Sequence, residues 1–299
     1  MRKTMAAFGI GALALGAARG EVIEITGEFA APYREASLLR SISIDRISGE
    51  DGPALARAIE QGLEGGPFEL LGGRTGSDIA DGALTGGVTS GVEETRFEKQ
   101  EKQCVQKGQD GKCLKEEQVK TLCRRRIVNV NVDLRLVRNR DGRILYSVSK
   151  PFRSEASWCA GEQPQETVEE TISGAVRDIG ASVRADLAPS VQTYRIRVRE
   201  SDRGMSKAQA SHFKALVKLS KRDAGAACAG WAALRSELPA HPSLLFDLGL
   251  CAEQAGRYEE AMAFYQDAAR AGAGEGNEGV GRAQRLIDGR EDARRRAQG

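Results

Sequence analysis

From Ile127 to Leu136 the chain alternates without interruption, with Val128, Val130, Val132, Leu134 and Leu136 on one side and Asn129, Asn131, Asp133 and Arg135 on the other. Successive strand side chains point to opposite faces, so a period of two predicts a long strand with one buried face. The turn NRDG and the strand RILYSVSKPF follow, which makes the pair antiparallel. Pro151 cannot donate to a ladder, so it marks an edge position or a bulge. A three-residue loop of Arg140, Asp141 and Gly142, with glycine in the left-handed position, pairs residues whose numbers sum to 282, twice the central Asp141. That register sets Cys123 across from Cys159.

Other segments fill in a layer around this hairpin. Leu38, Arg40, Ile42 and Ile44 alternate with their neighbours as a half-buried strand. In GEDGPALARAIEQGLEGGPFELLGG, Pro53 suits a first helical turn, Leu55, Ile59 and Leu63 recur every four residues, and Gly65 with Gly66 supplies the stop. Phe68, Leu70 and Leu71 read as a short strand, and ADGALTGGVTSGV as another within the glycine-rich stretch from Gly72 to Gly91. Val168, Ile172, Val176, Ile179, Val183 and Leu187 form one stripe of a helix over 164–187 that Pro189 closes. A short strand, TYRIRVRE, follows. Beyond residue 205 the periodicity is only helical, which puts a boundary at 200–205. The fold class expected is an α/β or α+β N-terminal domain with a mixed sheet and long antiparallel hairpins, followed by an all-α repeat module.

The cysteines depend on compartment. Arg2 and Lys3 precede an uncharged run from Met5 to Ala18, the pattern of a secretory signal peptide over residues 1–20, with mature domains over 21–200 and 205–299. The run is shorter than the roughly 20 residues of a membrane-spanning helix, and no cysteine follows it to carry a lipid, so the expectation is a cleaved, periplasmic chain that is not a lipoprotein and has no membrane span. An oxidising compartment favours disulfides. Residues 92–126 read as a charged hairpin with KGQDGK at its tip, which sets Cys104 near Cys113. With Cys123–Cys159 and Cys228–Cys251, all six cysteines pair locally. A zinc site would need Cys104, Cys113, Cys123 and Cys159 together without a CxxC pair, and both histidines lie far away in sequence.

Residues 244–269, LLFDLGLCAEQAGRYEEAMAFYQDAA, resemble a tetratricopeptide repeat. Leu248 and Gly249, Gly256, Tyr258, Ala261, Tyr265 and Ala268 match its packing and turn positions. Ala227, Trp231, Leu234 and Pro239 fit a degenerate copy one repeat earlier, and GVGRAQRLIDGREDARRR fits a capping helix. Trp231 and Tyr265 then belong to the core. Two repeats and a cap are fewer than usual, so the unit should lean on the first domain or on a partner. The repeat's register leaves Asp247, Leu250 and Gln254 on a free first-helix face that suits a peptide or partner helix.

The pieces ALARAIEQGLEGGPFELLGGRT, ADGALTGGVTSGV and VNVDLRLVRNRDGRILYS, in that order, resemble envelope proteins related to the curli-secretion channel CsgG and the N-terminal domain of TolB. The resemblance implies a periplasmic α/β domain acting by protein contact or assembly. The charge of the hairpin over 92–126 departs from a membrane-inserting strand pair and argues against a pore subunit.

No catalytic signature occurs. GKC at 111–113 lacks the P-loop hydroxyl, and GAGEGNEG, which holds glycines in dinucleotide-fold spacing, follows a helix and reads as a loop between repeats. Lysine and arginine number 44 against 42 acidic residues, so bulk charge gives no case for nucleic acid. The expectation is a non-enzymatic scaffold or adaptor for protein partners of the cell envelope, without cofactor or metal, whose α/β domain anchors or homo-oligomerises. The alternatives are a secretion-pore subunit and a small-molecule or nucleotide sensor built on the glycine-rich stretch.

Overall fold

The computed structural model describes residues 21–72 and 79–298. The signal-peptide expectation for residues 1–20 lies outside them, as do residues 73–78 of the glycine-rich stretch. The chain divides into two compact units. One, the sheet unit, is Glu28–Val191 with Asp288–Gly299; the other, the helical unit, is Gln192–Ile287 with the chain up to Gly27. The boundary therefore falls before the strand TYRIRVRE rather than after it, and the strand at Val22–Phe29 joins the helices through Gly27. Among the described residues, no helix is long and apolar enough to cross a membrane.

The sheet unit holds β2 (Ser41–Ser48), β3 (Glu69–Leu71), β4 (Gly82–Lys107), β5 (Cys113–Arg138) and β6 (Ile144–Cys159) in the order β3-β2-β4-β5-β6. β2 runs parallel to both neighbours, whereas β4, β5 and β6 form an antiparallel meander. A single turn, α1 (Arg34–Ser37), precedes β2, so that strand starts three residues later than the alternation from Leu38 suggests. Ser41, Ile42 and Ser43 are all buried, as both faces of a central parallel strand are.

Two helices cover one face of the sheet. In α2 (Gly52–Leu63), Leu55, Ile59 and Leu63 are buried, and Gly65 beyond it takes a left-handed φ of 67°. In α3 (Val168–Leu187) a capping box between Thr167 and Glu170 starts the helix and buries Val176, Ile179, Val183 and Leu187. Both stripes pack on Leu84, Val88, Val128, Val130, Val132, Leu134 and Leu136, the inward row of β4 and β5. Burying each such side chain contributes about 1.5–3 kcal/mol, which is why the predicted alternation over 127–136 dictates this layer. Pro151 sits opposite Asn131 on the outermost strand with no shift in register, so it is an edge proline.

The helical unit contains α4 (Lys207–Ser220), α5 (Ala224–Leu234), α6 (Pro242–Gln254), α7 (Tyr258–Arg270) and the first part of α8 (Glu275–Gln298). They form two helical hairpins and a cap, with Trp231 and Tyr265 fully buried as their repeat positions predict. GAGEGNEG is not the loop expected: Gly276 and Gly279 lie inside α8. A Cβ on Gly279 would fall 2.6 Å from Tyr265 and one on Gly249 2.5 Å from the same ring, so the two glycines let their helices close on it from two sides. The unit also holds a two-stranded sheet of β1 (Val22–Phe29) and β7 (Ser190–Arg197). Thr26 meets Thr193 and Glu24 meets Arg195, so the strands run in opposite directions.

Candidate partner-binding surfaces

Asp247, Leu250 and Gln254 share one face of α6, as the repeat register requires, but that face is not free. Asp247 and Leu250 are fully buried. The Asp247 Oδ1 accepts a hydrogen bond from the Arg199 backbone N–H at 2.8 Å, and the exposed Gln254 donates Nε2 to the Glu24 carbonyl at 2.9 Å. The cover is the strand pair β1–β7, whose inward residues Ile23, Ile25, Tyr194 and Ile196, with Val198 just beyond β7, pack into the same core as Phe246 and Leu250. The physical reason lies in repeat number: an array this short leaves apolar helix surface open, and an amphipathic strand pair of the same chain covers it. Burial also pushes the Asp247 carboxyl well above the usual carboxylate range, and its Oδ2 has no hydrogen-bond partner among the described residues. A charged replacement there would therefore test packing rather than partner capture.

One polar cluster fastens this cover. Glu253, fully buried, receives Arg282 through Nε at 2.6 Å and Nη2 at 2.8 Å. The hydroxyls of Tyr194 on β7 and Tyr265 on α7 each donate to the same carboxylate at 2.5 Å. Burial, reinforced by the Glu253 charge, raises the pKa of both tyrosines and keeps them donors. The carboxylate is thus paired and hydrogen-bonded on both oxygens, the condition under which a buried charge is tolerated. β1 was not singled out in the sequence, although Val22–Phe29 alternates strictly between exposed and buried positions through Thr26.

All three expected disulfides are formed: Cys104–Cys113, Cys123–Cys159 and Cys228–Cys251. Cys123 pairs with Cys159 in the register set by the 140–142 loop, where Gly142 has φ of 71°. The one slip lies next to the turn, between Leu136 and Val137. The charged hairpin over 92–126 is not a separate element, because β4 and β5 each run unbroken for 26 residues. β2 pairs with β4 only as far as Gly87, and β6 with β5 only as far as Cys123. Residues 98–107 and 113–122 are therefore a bare two-stranded ribbon in which no residue is buried, with Val105 and Leu114 exposed near its stapled tip.

The glycine-rich stretch serves the sheet where it is described. A Cβ on Gly86 would lie 2.3 Å from the Asp133 carbonyl oxygen. Among the described residues no group of three His, Cys, Asp or Glu could hold a metal ion.

A tetratricopeptide repeat family profile matches residues 211–276. Among curated proteins no relative matches. Solved structures similar to this chain include the PelC dodecamer from Paraburkholderia phytofirmans, 13% identical over 56% of this chain and 98% of that one, with a TM-score of 0.27. A minor lipoprotein from Acinetobacter baumannii is 12% identical over 48% of this chain and 89% of that one, with a TM-score of 0.22.

Proposed function

We propose that this protein is a non-enzymatic scaffold or adaptor of the cell envelope, exported to an oxidising compartment, with the sheet unit in the role the CsgG and TolB resemblance implies. Its partner contact lies on the β4–β5 ribbon, not on the first-helix face of the repeats. The observation that carries this reading is the ribbon itself. An isolated two-stranded hairpin is marginal in water, yet this one extends ten residues beyond the last β6 pairing, buries nothing in its own unit and is held by a disulfide. Order maintained without internal burial is suited to an external contact. The repeats support the adaptor reading as a module type and, with their groove filled, serve as a rigid support.

The test is a variant in which residues 98–122 are replaced by Asn-Gly, which closes the hairpin after the Phe97 and Cys123 pair. The intact chain should migrate in native gels of envelope extracts as part of a larger complex and the shortened chain at its own mass, with an unchanged melt. A complex that persists without the ribbon, or an intact chain that migrates alone, overturns the proposal.

A further inference from the structure

One cavity in the sheet unit is absorbed by neither the ribbon nor the repeats. It has a volume of about 660 Å³ and lies where β5 and β6 run out from under α3, between Arg126, Trp158 and the segment Glu162–Glu166. Trp158 is half-buried, and the Arg126 guanidinium sits 4.9 Å from its ring centre. Glu94 fixes that guanidinium from the neighbouring strand at 2.9 Å. Ser154, Thr171, Gln163 and Gln165 add hydroxyl and amide groups to the wall.

The strand register adds an observation of a different kind. Arg96 on β4, Arg124 on β5 and Trp158 on β6 stand directly opposite one another, in a single row across three strands. Like charges placed opposite each other destabilise a strand pair. The neighbouring rows neutralise theirs, Arg126 with Glu94 and Arg125 with Glu155. Arg96 and Arg124 are exposed and take part in no ion pair among the described residues. A row that keeps two facing arginines uncompensated beside an aromatic ring is arranged to receive an anion from outside.

The cavity wall decides which kind. Glu162 and Glu166 line it, so a chain of carboxylates such as an acidic peptide would meet repulsion within it. A sugar would not, because its hydroxyls donate to carboxylates and amides while the C–H face of its ring packs on indole. We infer that this cleft and the Arg96–Arg124–Trp158 row form a binding site for an acidic saccharide, a sugar in the cleft with a carboxylate substituent between the two arginines. The site lies on the sheet unit alone and is independent of where the protein partner docks.

Isothermal titration of the full chain with glucuronosyl-maltose, a trisaccharide with a single carboxylate, and with maltotriose and hexaglutamate at low salt tests this. Glucuronosyl-maltose should bind, and maltotriose about tenfold more weakly or not at all. The double variant Arg96→Gln, Arg124→Gln alters only exposed positions and should reduce glucuronosyl-maltose to the maltotriose level with an unchanged melt. Trp158→Ala should abolish binding of the sugar acid, and because that change also removes packing, ligand-induced change in Trp158 fluorescence in the unaltered chain gives a second reading. No heat with about 5 mM glucuronosyl-maltose, an unaffected arginine variant, or hexaglutamate binding as well as the sugar acid overturns the inference.

Discussion

Two ribbons of two antiparallel strands among the described residues are handled in opposite ways. In β1–β7 the side chains of Ile23, Ile25, Tyr194 and Ile196 make one face apolar, and that face fills the repeat groove of its own unit. In the outer part of β4–β5, charged and polar residues occupy both faces, none is buried, and a disulfide near the tip supplies the stability that burial does not. A strand pair is a structural filler or an open surface according to whether one of its faces can desolvate. The first fills the repeat groove and the second stays exposed.

The sharpest way to break this contrast is at the fastening of β7. Glu253→Ala leaves the Arg282 charge without its buried partner and should lower stability by about 3–5 kcal/mol, the cost typical of breaking a buried ion pair from one side. Urea denaturation monitored by circular dichroism reads it; a loss under about 1 kcal/mol would mean the strand cover is not held this way. Next come the cross-links. Removing Cys123–Cys159, which closes 36 residues of chain, should cost about 3–4 kcal/mol of chain entropy. Removing Cys104–Cys113 should leave the melt in place and appear instead as protease cleavage between residues 104 and 113, since the ribbon opens without the core.

Smaller effects sharpen the same comparison with single aliphatic residues. Ile25→Ala on the buried ribbon should cost about 2–4 kcal/mol, whereas Leu114→Ala, 66% exposed on the open one, should stay within about 0.5 kcal/mol in thermal melts. Equal costs would abolish the distinction. Asp247→Asn has the opposite sign. Burial raises the folded-state pKa of Asp247 above its unfolded value, so its penalty is absent at low pH and grows as pH rises out of the carboxylate range. The asparagine variant should therefore be more stable by about 1 kcal/mol at neutral pH. That advantage should vanish below about pH 4.

The residues that the sequence made legible are those whose partners lie nearby along the chain. Gly142 sets a turn, the turn sets a register, and Cys123 meets Cys159 with no further information needed. The repeat positions of Trp231 and Tyr265 are legible for a similar reason, since helical spacing reports a buried stripe directly. What escaped the reading depends on distant partners. The face of Asp247 and Leu250 is free by repeat register alone; its cover comes from residues 22–29 and 190–197, which meet only in the fold. Gly276 and Gly279 read as loop because glycine is a poor helix former, yet contact with Tyr265 outweighs a propensity cost of about 1 kcal/mol each. The continuity of β4 past Val92 was hidden because apolar alternation ends where the helices stop covering the sheet, while backbone pairing does not.

That continuity has a mechanical consequence. β4 passes from beneath the helices to the ribbon tip as one strand of 26 residues, roughly 85 Å of nearly inextensible backbone. A pull on its tip is shared by β4 and β5, which the turn and the bond between Cys104 and Cys113 join, and is delivered to the layer containing Leu84 and Val88. A pull that parts the two strands would have to unzip them one pair at a time from the tip, and the bond between Cys104 and Cys113 blocks the first step. The ribbon is thus stiff toward tension along its length and locked against opening at its tip.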